Sequence, residues 1–159
     1  MNDDTMVFNW LPCSVVLIST AHEGKRDIMT ATAMFVSERE PLLAISIAQN
    51  HLTDQLIEQS GEFILAIASE AQGDLVWQLG GIKGEEEDKF THFSISTFEY
   101  QPGKAFIPEG SAAWMACQVV SKQEVDGYRL VIARVVDQEE LNNPPLVWQK
   151  NALFSLKAL

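Results

Sequence analysis

The apolar positions of this chain fall into short β-branched runs separated by polar turns, a pattern of strands more than of helices. The run Cys13 to Thr20 (CSVVLIST) follows Pro12 and precedes the polar AHEGKRD, which predicts a strand and a turn. Ile28 to Ser37 (IMTATAMFVS) reads as one strand, and Pro41 restarts an extended segment, Leu42 to Ala48. These two are expected to pair antiparallel through the turn SEREP. Beyond Ala48 the period changes. Thr53 as capping residue, Asp54 behind it and Gly61 in the C′ place predict a helix of about two turns. Phe63 to Ala68 reads as a buried strand. Ser69 and Gln72 then form a capping-box pattern that opens a second helix, ending at Gly80 and Gly81. The acidic run from Ile82 to Asp88 reads as a solvated connector. The rest is β-rich: FSISTFEY, then Ala112 to Ser121, and Tyr128 to Val136. The last two form a predicted hairpin around the turn KQEVDG, with its Asp126–Gly127 step.

About seven strands and two short inserted helices make an all-β or β-dominated barrel. Several strands are apolar throughout, and strands covered on both faces in so short a chain suggest that a second subunit covers one side. With 159 residues the chain is expected to form a single domain, 1–159. Its 47% apolar and 21% charged residues exclude a disordered or fibrous chain. No apolar stretch is long enough to span a bilayer, and the acidic start MNDDTMVFNW lacks the basic opening of a secretory signal, so a cytoplasmic protein without membrane partners is expected. The net charge of −11 repels nucleic acid, although one small phosphate can still be held locally by a helix N-terminus or a lysine. Cys13 and Cys117 are too far apart for a CxxC motif and are expected to be buried free thiols.

Spacing disposes of several chemistries. Gly80, Gly81 and Gly84 follow a helix and do not form G-x-G-x-x-G. His22–Glu23 lacks the second histidine of a zinc motif, so no metal site is expected, and Ser111 lacks the hydrolase elbow. What remains is a set of small polar residues between apolar strands: Thr30, Thr32 and Ser37, then Ser46, His51 and Thr53. Thr30 and Thr32 share one strand face and Ala31 and Ala33 the other, which would let a flat ligand approach the backbone. Equally, threonines suit strands, and Thr53 serves as an N-cap.

The segment Glu23 to Ser69, with MTATAMFVS, EREPLLAISIA, HLT and SGEF in order, resembles the flavin reductase-like family of FMN-binding split-barrel proteins. Asp88–Lys89–Phe90, AWMAC at 113–117 and YRLVIARVV extend the resemblance over about nine-tenths of the chain. The resemblance implies a homodimer of Greek-key split β-barrels with FMN, or FAD as the alternative, in a groove near the subunit interface. It assigns the ring to Thr30, Ala31, Thr32 and Ala33, a backbone contact to Ala48, and phosphate and ribityl contacts to His51 and Thr53, with Ser37 and Lys89 as further contacts. Many members carry a histidine, associated with nicotinamide binding, where this chain has Arg129, so Arg129 is the nicotinamide candidate. Tyr128 and Trp148 are either stacking partners or core and interface residues.

Three functions follow from the resemblance. One is a flavin reductase that takes hydride from NAD(P)H as co-substrate and positions two planar rings without an acid–base pair, feeding reduced flavin to a monooxygenase partner. The second is a flavoredoxin-like FMN electron carrier that docks a redox protein through its acidic surface. The third is a barrel that has lost its flavin. Retention of MTATA and HLT disfavours the third, and the reductase is the preferred reading.

Overall fold

The computed structural model describes residues 6–159; the acidic opening residues 1–5 lie outside them. Its centre is a seven-stranded antiparallel sheet built from β2 (Val16–His22), β3 (Lys25–Ala31), β4 (Ala33–Ser37), β5 (Leu42–Ala48), β6 (Glu62–Ile67), β9 (Ala113–Val125) and β10 (Tyr128–Glu140). The order across the sheet is β3-β2-β6-β9-β10-β5-β4. Its two edges, β3 and β4, are consecutive in sequence with Thr32 alone between them. A sheet whose two edges are tied by one residue must curl until they meet, so chain continuity closes the barrel.

That arrangement corrects the expectation of one strand over Ile28 to Ser37. β3 pairs with β2 and β4 pairs with β5, so the two halves belong to opposite edges, although the β4–β5 pairing itself is as expected. The Ser14 hydroxyl bridges the closure, donating to the Ala33 carbonyl (2.6 Å) and accepting from the Ala33 amide (3.1 Å).

Alternation along the strands yields two cores. Val16, Ile18, Ile45, Ile47, Phe63, Leu65, Cys117, Val131 and Ala133 fill the barrel interior. Helix α1 (Leu52–Ser60) contributes Ile57 to that cluster. It ends at Gly61, whose φ of 71° is the left-handed C′ conformation expected there. Outside the barrel, Leu17, Ile28, Ile64, Ala66, Trp114 and Ala116 form a second cluster. That cluster is covered by α2 (Gly73–Gln78), α3 (Lys89–His92), the ribbon β7 (Thr97–Glu99) with β8 (Phe106–Pro108), and residues of the small sheet of β1 (Cys13–Ser14), β11 (Leu146–Gln149) and β12 (Ala152–Ser155). The doubly covered strands are therefore covered by the chain itself, not by a second subunit.

The capping box of Ser69 and Gln72 forms ahead of α2 as the spacing predicts. The N-cap of α1 is His51 and not Thr53, because Thr53 directs its hydroxyl to Asp27 instead. The long hairpin turns on Asp126 and Gly127 alone (φ 48° and 80°), while residues 122–125 continue β9. FSISTFEY contributes only β7, and β1, β7, β8, β11 and β12 have two to four residues each, too short for an alternation signal. Among the described residues no helix is long and apolar enough to cross a membrane.

Cys117 is buried as expected, but Cys13 is only half-buried. Burial pushes the Cys117 thiol up to about 12, so it stays protonated and inert in the folded protein. A colorimetric thiol reagent at pH 8 is expected to modify Cys13 in the native protein and Cys117 only after denaturant is added. Rapid native reaction of both would mean that the barrel opens far more readily than its packing implies.

Candidate functional site

The closure of the barrel leaves a strip of small residues at the seam. Ala31 ends β3, Thr32 stands exposed between the strands, and Ala33 begins β4. Ala31 and Ala33 pack at the edge of the interior cluster, while Thr30 turns outward and donates its hydroxyl to the Val76 carbonyl of α2 (2.8 Å). Thr30 is thus held by the fold, and Thr32 is the threonine that remains open. Beside the strip lies an apolar groove of about 500 Å³ lined by Val16, Ala33, Phe35, Leu43, Leu65 and Met115 among others. Ser37, at the far end of β4, also lines this groove.

A second element is the corner between β5 and α1. The Gln49 amide donates to the Gly127 carbonyl (3.0 Å), and Asn50 adopts φ 66°, a conformation asparagine tolerates better than most residues. Asp54, buried in the first turn of α1, accepts from the Asn50 amide (3.0 Å) and so fixes that corner. Arg129 of β10 grips the same carboxylate, with Nε 2.5 Å from Oδ1 and Nη2 3.3 Å from Oδ2, and reaches Glu58 at 3.3 Å. The hydrogen bond to Asp54 raises the Arg129 pKa above its ordinary value, and burial opposes it. Ala48 is half-buried at the start of this corner, and His51 is exposed at the N-cap with no side-chain capping bond.

The third element is buried. Asp27 of β3 accepts from the Thr53 hydroxyl of α1 (2.6 Å), and the Lys89 ammonium of α3 lies 3.3 Å from its other oxygen. Lys89 also donates to the Ile28 carbonyl at 2.9 Å, so its contact with Asp27 is an ion pair beside an aligned hydrogen bond to backbone. Gly84 packs on this carboxylate so closely that a Cβ there would overlap it. Next to it, Asp88 accepts from the Phe90 amide and from Arg26 and Thr91. Burial pulls the Asp88 carboxyl up, but the Arg26 and Thr91 hydrogen bonds outweigh it and hold the pKa below its usual value.

The structure thus keeps Thr30, Ala31, Thr32 and Ala33 together at the seam and places Ala48 and His51 at one corner. Thr53 and Lys89 are turned inward onto Asp27, Arg129 is occupied by carboxylates, and Ser37 stands apart in the groove. Ser14 and Asp27, which the sequence pattern did not single out, organise the rest together with Asp54, which it marked only as an acid in the first helical turn. Asp27 closes the polar run AHEGKRD, so its place in β3 and its burial show only in the structure. An open strip of backbone beside an apolar groove can receive a flat ring, and small side chains allow it to lie close. The strip Ala31–Thr32–Ala33 has the small side chains such a ring needs, whereas Lys89 and Thr53 are already engaged by Asp27.

Residues 8–157 match the family described as flavin reductase like domain. The uncharacterized protein YddH of Escherichia coli (strain K12) is 32% identical over 109 residues, 66% of this chain; the match spans only 58% of that protein's length. Among solved structures, the NADH:FAD oxidoreductase SgcE6 of Streptomyces globisporus C-1027 superimposes with a TM-score of 0.85 at 15% identity, covering 96% of this chain and 90% of that one. A flavoredoxin of Methanosarcina acetivorans does so with 0.83 at 17% identity, covering 100% and 91%. At those identities the two structures share the split-barrel fold with this chain.

The Arg129–Asp54 pair yields a stability test. Arg129→Met leaves Asp54 buried without its counter-charge, an expected loss of about 3 kcal/mol in urea unfolding. The double variant Arg129→Met, Asp54→Asn should recover part of it. A single variant as stable as the parent would show that the clamp contributes nothing.

Proposed function

The chain belongs to the flavin reductase like domain family, and from that premise we propose that it is an oxidoreductase that binds FMN, with FAD as the alternative, and passes hydride from NAD(P)H to the flavin. The observation that carries this reading is the strip Ala31–Thr32–Ala33, where small side chains and a backbone lying between two strand edges adjoin an apolar groove. The strip would take the face or polar edge of the ring, with Ala48 and His51 beside the ribityl chain at the start of α1. A bound flavin supplies the hydride chemistry itself. The chain's part is to orient the ring against Ala31 and Ala33 and to keep water from it with the groove's apolar wall, and no acid–base pair is required.

A second reading is favoured by one observation. Arg129, the candidate for a nicotinamide cofactor's pyrophosphate, is already neutralised by Asp54 and Glu58, which suits a flavin electron carrier that exchanges electrons with a redox protein. A monooxygenase as recipient of reduced flavin belongs to the first reading.

Either function is proposed for a homodimer. Two copies each carrying −11 can meet closely only over uncharged surface. Such surface is present here: Met34, Phe35 and Val36 of β4 stand exposed, Met34 and Phe35 lining the groove, and Val7, Phe8, Trp10 and Leu11 are exposed as well.

Visible absorption during titration with FMN, then anaerobic NADH and NADPH, tests the function. Perturbed bands that bleach support the reductase, perturbed bands that persist support the carrier, and unperturbed bands overturn both. Thr32→Trp should weaken flavin binding by about tenfold or more with an unchanged circular dichroism spectrum. For the assembly, Phe35→Glu is expected to convert the species seen in sedimentation velocity from dimer to monomer; a parent protein that already sediments as a monomer overturns the dimer.

A further inference from the structure

The apolar groove beside the strip has a lining that discriminates by charge. Its floor is Val16, Leu43 and Leu65, all buried, and its sole charged lining residue is Glu38, exposed at the rim. Past Ile67, Met115 and Gln138, which the two share, lies a second hollow of about 580 Å³ whose charged residues are Glu139 and Glu140. Glu139 accepts from the Trp114 indole at 3.2 Å. No lysine, arginine or histidine lines either hollow. In a chain of net charge −11, an anion entering here meets acids and no counter-charge.

Resting on the flavin reading, we propose that this groove seats an uncharged ring compound of the quinone class, which accepts electrons from the flavin at the adjoining strip. Size and polarity both fit. A cavity of roughly 150 Å³ takes a benzene ring, so the groove's volume of about 500 Å³ has room for two fused rings. Ala33 belongs to both the strip and the groove, so a ring in the groove lies next to a ring on the strip. The Ser14 hydroxyl is engaged with Ala33, but the Ser37 hydroxyl and the Gln138 amide have no side-chain hydrogen bond among the described residues and can donate to carbonyl oxygens without adding charge. A second copy seated on exposed Met34 and Phe35 would roof the floor and exclude water from it. In the electron step the quinone takes a hydride and a proton from the reduced flavin and becomes the hydroquinone, and the flavin returns to its oxidised form, ready for NAD(P)H.

Calorimetric titration of the FMN-loaded full chain tests this with two compounds: dimethylnaphthoquinone, whose quinone ring has no open position for Cys13 to add to, and the analogue in which one methyl is replaced by carboxymethyl. The neutral quinone is expected to bind about tenfold or more tightly than the anion. Glu38→Lys, at an exposed position, should narrow that ratio by about threefold or more, because it exchanges the groove's single acid for a cation; an unaltered ratio would overturn the selection by charge. Equal binding of both quinones, or binding of neither, by a protein that perturbs the FMN bands would overturn the inference and leave the flavin reading intact. Unperturbed FMN bands would overturn the flavin reading, and the acceptor role with it. The electron step is read by reducing the bound FMN with dithionite and mixing it anaerobically with each quinone. Relative to free reduced FMN, the protein should favour the neutral quinone by about tenfold or more, and a preference no different from that of free flavin would overturn the acceptor role.

Discussion

The covalent link at Thr32 is the constraint on which the rest of the structure depends. Seven strands in the order found place β3 and β4 as far apart as the sheet allows, yet one residue joins them. Curling of the sheet answers this, and the curl creates the enclosed interior, the seam and the groove together. Because β3 and β4 have their ladders with β2 and β5, the seam is a place where backbone and small side chains meet solvent without strand pairing across it. A flat ligand needs such a place, and a fully closed barrel would not provide one.

Two buried aspartates then fix what surrounds the seam. Asp27 ties β3 to α1 and to α3, and Asp54 ties the β5–α1 corner to β10. Buried carboxylates are costly unless paired: Asp54 has Arg129 and the Asn50 amide, whereas Asp27 has the Thr53 hydroxyl and the Lys89 ammonium at ion-pair distance, its Oδ1 accepting no hydrogen bond. The cost is a reduced supply of free cations near the site, in a chain that has only eleven lysines and arginines.

Much of this was legible in the sequence. The barrel class, the Gly61 terminus, the capping box of Ser69 and Gln72, and the Asp126–Gly127 hairpin all rest on local chemistry that few residues determine. The division of Ile28 to Ser37 was not legible, because a strand that changes partners keeps its alternation and nothing local marks the change. For the same reason the cover on the outer face looked like a second subunit's work, since the short strands that supply it carry no periodic signal. The seam residues Thr30 to Ala33 could be named from their resemblance to known sequences. That Lys89, Thr53 and Arg129 turn toward carboxylates could not, because ion pairing between residues as distant in sequence as Asp27 and Lys89 leaves no trace in spacing.

The order of strands also bears on how the chain reaches this state. The β2–β3, β4–β5 and β9–β10 ladders join neighbours in sequence and can form early, as independent hairpins. The β6–β9 ladder joins segments separated by everything from residue 68 to residue 112, and the entropy of closing that loop is met only when the long hairpin docks. Until it does, β6 presents an open apolar edge that can recruit another chain. Folding speed and freedom from aggregation therefore hinge on the intervening segment collapsing onto the outer core first, so that the two strands are brought within reach of each other.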